Sequence, residues 1–480
     1  MRYRKYLNES VEKDIKKRWS KYIKSDNMIK NGVDILNKIN SKGYDAYIVG
    51  GAVRDLILGD KPHDIDISTN MPIDELDKIF KTYDIGKSKD FGIVVVNQGG
   101  EQFEIAQFRS ESDYSDGRHP DKVEIVSDFK TDAGRRDLTI NAMAVDKDGN
   151  IIDHFNGKNA IFDKIIKTVG NPHERFKEDK LRMMRACRFS SKLCFNIDTD
   201  TKDAIIANKE GIKDISIERV KDELVKMASQ SGDKFAQGIL TLDEVGILDI
   251  ILPELTKLKG FKETLKWHPE AYENGGTGSP FEHTMAALRK NKVADPIINL
   301  AILFHDIGKG VTHKLRSDGV RHSYFGHDKE GADIIKDIAK RLKLSNKERD
   351  SILFSAINHM KLFKGNEMKP SKIIKLVNDE NWEVLKAVSY CDDSCRTGMF
   401  NKKTFDATIS NMEKITKKWG DKVTSKVVKV IDGNHVMKLT GLRQGKELGD
   451  LIKKVTELVL DNGIKNQNDI DALIVKVYND

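Results

Sequence analysis

The apolar pattern of this chain changes once, and that change limits its fold more than any other feature. From about residue 31 to 165, short apolar runs alternate with helical stretches; beyond about residue 174 the pattern is almost purely helical. Residues 47–49, 65–67, 93–96, 103–108 and 123–126 read as strands. Residues 28–42, stopping at Gly43, residues 52–58, closed by Gly59, and residues 72–81, opened by Pro72, read as helices. Strands confined to one block and followed by helices alone predict an α+β fold rather than a doubly wound sheet.

A length of 480 residues predicts about three or four domains. The expected division is a basic amphipathic extension over 1–30, a sheet-containing head over 31–165, a helical neck and body over 166–262, a histidine-rich domain over 263–410 and a helical tail over 411–480. The Gly-rich stretch 267–278 reads as a loop and a boundary. With 39% hydrophobic and 33% charged residues and nine prolines, the chain reads as soluble, helix-rich and globular. It has no apolar run near the ~18 residues that span a membrane and no signal peptide at its polar start, so a cytoplasmic location is expected. Cys187, Cys194, Cys391 and Cys395 have no metal-ligand spacing and read as reduced core thiols.

The net charge of +7 is unevenly placed: residues 1–30 hold ten Lys or Arg and four Asp or Glu, so the remainder carries only +1. Within that stretch Val11, Ile15, Trp19 and Ile23 recur every fourth residue, one apolar stripe of a helix with lysines on its other faces. Such a helix either docks on the body with a solvated outer face or reaches RNA phosphates; Glu12 and Asp14 interrupt it as a membrane-surface helix.

The first group of chemistry-bearing residues is Gly50-Gly51-Ala52-Val53-Arg54-Asp55, directly after an apolar strand, followed by Asp64-Ile65-Asp66. Two glycines between strand and helix let the backbone approach closely, so helix amides can hold a phosphate. Asp64 and Asp66, two apart on a strand, leave the same face, and paired carboxylates suit Mg²⁺. Two further blocks are Arg135-Arg136-Asp137-Leu138-Thr139-Ile140-Asn141 and Glu178-Asp179-Lys180-Leu181-Arg182, continuing through Arg185 and Arg188. Asp179, Arg182, Arg185 and Arg188, each three apart, predict one ridge along a helix. Three arginines against one acid there fit something anionic lying along the ridge.

These four blocks, in this order over about residues 44–260, resemble the class II tRNA nucleotidyltransferase and bacterial poly(A) polymerase superfamily, specifically the CCA-adding enzymes. The resemblance implies a small polymerase-beta-like nucleotidyltransferase head followed by all-helical neck, body and tail. It implies that Asp64 and Asp66 hold the metal ions, and Glu104 is a candidate third carboxylate. Gly51 and Arg54 would contact the incoming nucleotide, with Arg136 and Asp137 beside its phosphates or ribose, and Asp179, Arg182, Arg185 and Arg188 in its pocket. Residues 110–120 look like the family's flexible loop. Lys180 stands where relatives usually carry Pro, which should alter only how the helix begins.

The chemistry stands beside the family reading. ATP and CTP each present a donor amine next to a ring-nitrogen acceptor, whereas GTP and UTP present a carbonyl acceptor next to a ring N–H donor. A carboxylate only accepts and a guanidinium only donates, so Asp179 with Arg182 can take A and C and refuse G and U without a template. Two metals would serve an in-line displacement of pyrophosphate by a primer 3′-hydroxyl.

Seven of the twelve histidines fall between 268 and 359. His305-Asp306-Ile307-Gly308-Lys309 lies 22 residues after His283, with Asp392-Asp393 downstream. Imidazole plus carboxylate is a common transition-metal ligand set. With Trp267-His268-Pro269-Glu270, Gly326-His327 and Arg396-Thr397-Gly398, the pattern resembles HD-domain phosphohydrolases, and most closely the HD domain of gammaproteobacterial-type CCA-adding enzymes. The implied ligands of a divalent transition metal are His283, His305, Asp306 and Asp392, with Asp393 an alternative at the last position and His327 and His359 candidates for a second ion. The implied activities are phosphatase, 2′-nucleotidase and 2′,3′-cyclic phosphodiesterase. The last 70 residues resemble the tail of many CCA-adding enzymes; residues 1–30 have no counterpart in the resemblance.

The expected function is template-independent addition and repair of the tRNA 3′-terminal CCA from CTP and ATP. A poly(A) polymerase or a partial CC- or A-adding enzyme would share the head motifs. An HD phosphohydrolase with an RNA-binding head would have no need of Asp64 and Asp66, and a stringent-response type HD protein would have no need of Asp179 and Arg182.

Overall fold

Alternation of buried and exposed residues builds the sheet that carries the first group. The computed structural model describes residues 2–480 apart from 85, 87, 113–121, 267, 319–321, 420–430 and 465. They form two compact units, Met1–Met227 with Gln237–Ile251, and Ala228–Ala236 with Leu252–Asp480.

The first unit contains β1 Ala46–Val49, β2 Asp66–Thr69, β3 Thr82–Tyr83, β4 Ile93–Gln98, β5 Glu101–Gln107, β6 Arg109–Ser112, β7 Lys122–Ile125, β8 Met143–Val145 and β9 Ile151–Asp153. Seven form one mixed sheet in the order β3-β4-β5-β2-β1-β8-β9, and β6 and β7 pair as a separate hairpin. Strand β2 runs antiparallel to β1 and parallel to β5, in a register that sets Asp66 opposite Glu104. Ile65 and Ile67 are buried while Asp64 and Asp66 are exposed, so one face of this segment packs on the core and the other carries acid.

Helix α1 spans Arg2–Ser25 and α2 spans Asn27–Asn40, capped by Asp26, whose side chain accepts from Ile29 N. Ile15 and Trp19 of α1 are buried in the first unit. The Trp19 indole donates to Lys147 O at 3.1 Å, and Arg18 Nη1 donates to Leu56 O at 2.9 Å. The indole lies over Gly149, where a Cβ would come within 2.7 Å of the ring. Helix α3, Gly51–Leu58, follows β1 through Gly50 at φ +73°, a backbone angle that glycine adopts without strain. Past the head come α4, Pro172–Glu178, and α5, Leu181–Leu193.

The second unit is helical. Pro280–Lys290 begins with a Ser279–Glu282 capping box, and Pro296–Phe304 with Asp295 as its cap. His327–Arg341, Asn346–Asn358 and Trp382–Ser394 follow, and the tail helices Gly433–Thr440, Lys446–Asn462 and Gln467–Asn479 close on Val436, Val455, Val459, Ile470 and Ile474. Among the described residues, no helix is long and apolar enough to cross a membrane.

The α+β fold class holds, with corrections in detail. The sheet has two strands beyond residue 140 that the sequence pattern missed, because β8 and β9 are only three residues long. The 123–126 strand lies in the β6–β7 hairpin, outside the main sheet. Asp64 precedes β2, which begins at Asp66. The stretch read as a boundary loop contains a 3-10 helix, Pro269–Gly275, packed on the helix Pro280–Lys290. Cys194 is exposed at the left-handed C-cap of α5, while Cys187, Cys391 and Cys395 are buried. The expected flexible loop falls, from residue 113, outside the described residues, as do Trp267 and the side chain of Val11.

Candidate active site and metal centre

A cavity of about 430 Å³ opens in the first unit, and most of the first group of residues line it: Gly51, Arg54, Asp66, Glu104, Arg136, Asp137, Asp179, Arg182 and Arg185. The side chains lining it include six arginines (also Arg109 and Arg135) and four carboxylates. That excess of fixed positive charge suits a polyanion. Asp64 and Arg188 do not line it. Asp64 acts through its charge: the cavity walls, which take water from one side of the Asp66 carboxyl, first, then Asp64 and Glu104, push it up to about 6, against Arg136. Two carboxylates held in register with a third acid nearby fit a hard divalent cation, which would remove that repulsion.

The arginines are held by buried partners. Arg54, 4% exposed, donates through Nη1 to Asn141 Oδ1 at 2.8 Å and through Nε and Nη2 to Asp55 Oδ1. Arg136 Nη2 reaches Asp132 Oδ2 at 3.2 Å, and its buried Nε has no hydrogen-bond partner among the described residues. Asp137 is buried, and Arg185 and then Arg182 hold its carboxyl below the usual range against the effect of burial.

The predicted ridge is corrected on two counts. Asp179 lies at the C-cap of α4 in an extended conformation, not on α5, and its Oδ1 accepts from Leu181 N at 3.0 Å. The arginines are not left with a single acid: Arg182 pairs with Glu178 at 2.6 Å, Arg185 with Asp137 at 2.7 Å and Arg188 with Glu223 at 2.6 Å. Arg188 stacks on the Phe189 ring, 4.3 Å from its centroid. Arg219 Nη2 donates to both oxygens of Asp179, at 2.9 and 3.2 Å. Asp179 keeps lone pairs free after these bonds. Arg182 spends three N–H groups on Glu178, Arg175 O and Arg135 O, which leaves two of its five. An acceptor and a donor thus remain at adjoining positions of one cavity. Sequence reasoning gave no partner role to Glu178, Arg219 or Glu223; the i, i+4 spacing of Glu178 with Arg182 was an available signal, whereas Arg219 and Glu223 meet partners 40 and 35 residues away.

In the second unit the predicted ligands converge. Asp306 Oδ2 lies 3.2 Å from His305 Nε2 and 3.7 Å from His283 Nε2. Its Oδ1 lies 3.4 Å from His327 Nε2 and 3.6 Å from His359 Nε2. Asp392 Oδ1 lies 3.1 Å from His283 Nε2; Asp392 is 2% exposed and Asp393, half-buried, joins none of these groups. Each ring is oriented through Nδ1, which donates to Ile302 O from His305, to Tyr324 O from His327, to Ala356 O from His359 and to Glu270 Oε1 from His283. A carbonyl or carboxylate only accepts, so the proton sits on Nδ1 and Nε2 presents a lone pair to the centre.

The Nε2 atoms of His283, His305 and His327 are buried and have no hydrogen-bond partner among the described residues. Burial opposes charge on Asp306 and Asp392, yet the Lys309 ammonium holds the first, and the Arg396 guanidinium the second, well below the usual carboxyl range. Unpartnered imidazole nitrogens beside ionised carboxylates are the donor set of a divalent transition metal. Glu270, also 3.0 Å from His268 Nδ1, and Glu263, 2.7 Å from Lys309 Nζ, complete the surround. The sequence reading gave these two acids no role.

Comparisons with known proteins match three segments of the chain. The family model for the poly A polymerase head domain matches residues 46–167, the probable RNA and SrmB-binding site of polymerase A matches 194–259, and the HD domain matches 282–393. The CCA-adding enzyme of Lactobacillus johnsonii is 45% identical over 237 residues, 49% of this chain and 58% of that protein. That of Geobacillus thermodenitrificans is 44% identical over 234 residues, 48% and 55%. The chain thus spans somewhat over half the length of the curated relatives it matches. Among solved structures, the Bacillus stearothermophilus CCA-adding enzyme in complex with CTP superposes with a TM-score of 0.64 at 26% identity, over 93% of this chain and 96% of that one. The Thermotoga maritima CCA-adding enzyme complexed with tRNA(CCA) shares the fold, with a TM-score of 0.56 at 19% identity, over 96% and 98%. The chain carries a poly A polymerase head domain, a segment of the polymerase A probable RNA-binding family and an HD domain, and it is similar in sequence and fold to CCA-adding enzymes.

Proposed function

We propose that this chain, with its poly A polymerase head, its HD domain and its likeness to CCA-adding enzymes, adds the 3′-terminal CCA to tRNA from CTP and ATP. The observation that carries the reading is that one cavity has both the Asp66–Glu104 pair and Asp179 with Arg182 in its lining. Asp64 and Asp66 hold magnesium, with Glu104 beside them. The chemistry magnesium supplies when bound is activation of the primer 3′-hydroxyl and stabilisation of departing pyrophosphate. Gly51 and Arg54 position the nucleotide, and Arg136 donates to its phosphates or ribose. Asp179 accepts from the exocyclic amine of A or C while Arg182 donates to the ring nitrogen. Asp137 holds Arg185, and Arg188 keeps Phe189 in place. The absence of any template requirement follows, since protein groups alone read the base edge.

The HD centre is proposed as a metal-dependent phosphohydrolase acting on 2′,3′-cyclic or terminal phosphates. His283, His305, Asp306 and Asp392 hold the ion, and the split of four histidines between the two oxygens of Asp306 supports a second ion held by His327 and His359. The chemistry such an ion supplies when bound is a water of lowered pKa. Incubation with tRNA lacking its 3′ end and each labelled NTP, with the added nucleotides sequenced, tests the main reading. C, C, A in that order supports it; an A-only tail or one added base supports the poly(A) or partial-addition alternatives.

A further inference from the structure

We propose that the outer face of helix α1 is an RNA-binding surface that holds the duplex part of the RNA whose 3′ end enters the cavity. The inference rests on the reading of the cavity as a tRNA 3′-end site. Ile15, Arg18, Trp19 and Tyr22 fix the helix to the head: two are buried, and three donate from their side chains to backbone carbonyls at Leu56, Ile57, Gly59 and Lys147. Lys13, Lys17, Lys21 and Lys24 are spaced three or four apart and so share the face opposite those anchors. All four are exposed, and none makes a side-chain hydrogen bond or ion pair among the described residues.

A surface lysine row is ordinarily just solvated; three things argue for a partner here. The row is fixed rather than free, since a buried tryptophan and the Arg18 bonds hold its helix on the head. It carries the charge the rest of the molecule lacks, as residues 1–30 hold +6 of the chain's +7. Its length from Lys13 to Lys24, about 17 Å at 1.5 Å per residue, faces roughly ten phosphate charges on a nucleic-acid duplex. A bilayer is the poorer partner, because the apolar stripe that would enter it is already buried against the head. Helix α1 also bonds the C-terminal end of α3, whose N-terminal Gly51 lines the cavity, so one short helix connects the surface with the site.

The test is the variant K13Q/K17Q/K21Q/K24Q of the full chain, compared with the wild type for binding tRNA that lacks CCA across a salt series. These side chains are exposed, so the melting temperature should stay within a degree or two. The expected result is about tenfold or more weaker binding at low salt, and a slope of log Kd against log salt lower by about two or more, each lost phosphate contact removing about 0.7–0.9. CTP incorporation at saturating RNA should be unchanged. Equal affinity and equal slope overturn the proposal, as does unchanged RNA binding with lost binding to phosphatidylserine vesicles. A chain that loses salt-dependent RNA binding in the variant, yet adds no nucleotide even as wild type, supports this surface and overturns the proposed function instead.

Discussion

At the residue scale, the proposed base selection rests on Asp179 and Arg182 acting on one base edge. Removing either costs the base edge one hydrogen bond to a charged group, about 1.5–3 kcal/mol, while the remaining residue keeps its own partner, Arg219 for Asp179 and Glu178 for Arg182. Since ~1.4 kcal/mol is tenfold, Asp179→Ala and Arg182→Ala should each cut kcat/KM for CTP and ATP by about tenfold to a few hundredfold. Discrimination against UTP and GTP should loosen with it. An unchanged CTP to UTP ratio in both variants would place selection elsewhere. Asp66 carries a second prediction. Its carboxyl sits at about 6 instead of the ordinary 3.8, so between those values the folded state binds more protons than the unfolded one. Its contribution to stability is therefore full below about pH 4 and is lost as pH rises through about 6. In EDTA, Asp66→Asn should flatten that fall and melt higher than the wild type at pH 7, while losing nucleotide addition; calorimetry from pH 4 to 7 measures it, and a lower melting point at pH 7 refutes it. Glu270 carries the third. It accepts from Nδ1 of both His283 and His268, and without it the His283 ring loses its tautomer and orientation. Glu270→Ala should weaken metal binding at the HD centre about 10–100-fold, read as metal content after dialysis against a chelator series, with Glu270→Gln recovering part of it.

Short helices and strands position these groups, and their placement depends on a few tight contacts. The β2–β5 register sets Asp66 beside Glu104, and a one-residue slip would turn every acid of that face into the core. Gly50 makes the turn that brings α3 to the cavity, and α4 ends one residue early enough for Asp179 to leave the helix and face Arg219. Helix α1 is joined to the head through Trp19, whose ring fills the space over Gly149. Trp19→Ala should cost about 3–5 kcal/mol through the cavity and the lost indole hydrogen bond. Chemical denaturation monitored in the first unit should show it, and a change below ~1 kcal/mol would mean that α1 adds little to the head.

At the scale of the whole molecule the two centres lie in separate compact units and share no ligand. Asp64→Ala or Asp66→Ala should therefore abolish addition of both C and A yet leave phosphate hydrolysis largely intact. The double change His305→Ala with Asp306→Ala should do the reverse. Both activities are read on one preparation, with labelled CTP and ATP for the first and a 2′,3′-cyclic nucleotide with added divalent metal for the second. Near wild-type addition by either head variant, or unchanged hydrolysis in the double variant, would remove the corresponding site assignment.

Much of this was legible in the residues because it is local. Strand and helix periods, the glycine turn at 50–51, the paired acids at 64 and 66 and the His305-Asp306 step are patterns within a few residues, where backbone geometry alone decides which side chains share a face. The α+β class followed from them; the set of His283, His305, Asp306 and Asp392 came from the resemblance to HD domains. What the chain could not reveal alone was partnership across long separations. The Arg182-to-Arg188 row looked short of acid because Asp137 and Glu223 come from 48 and 35 residues away in sequence. Glu270 looked like part of a boundary loop until the helix bearing His283 packed against it. Asp306 reads as a single ligand in sequence, and only folding divides its two oxygens between two pairs of histidines. Local spacing sets which face a group leaves from; what it meets there is decided by burial, which forces each charge taken from water to find a counter-charge wherever the fold brings one within reach.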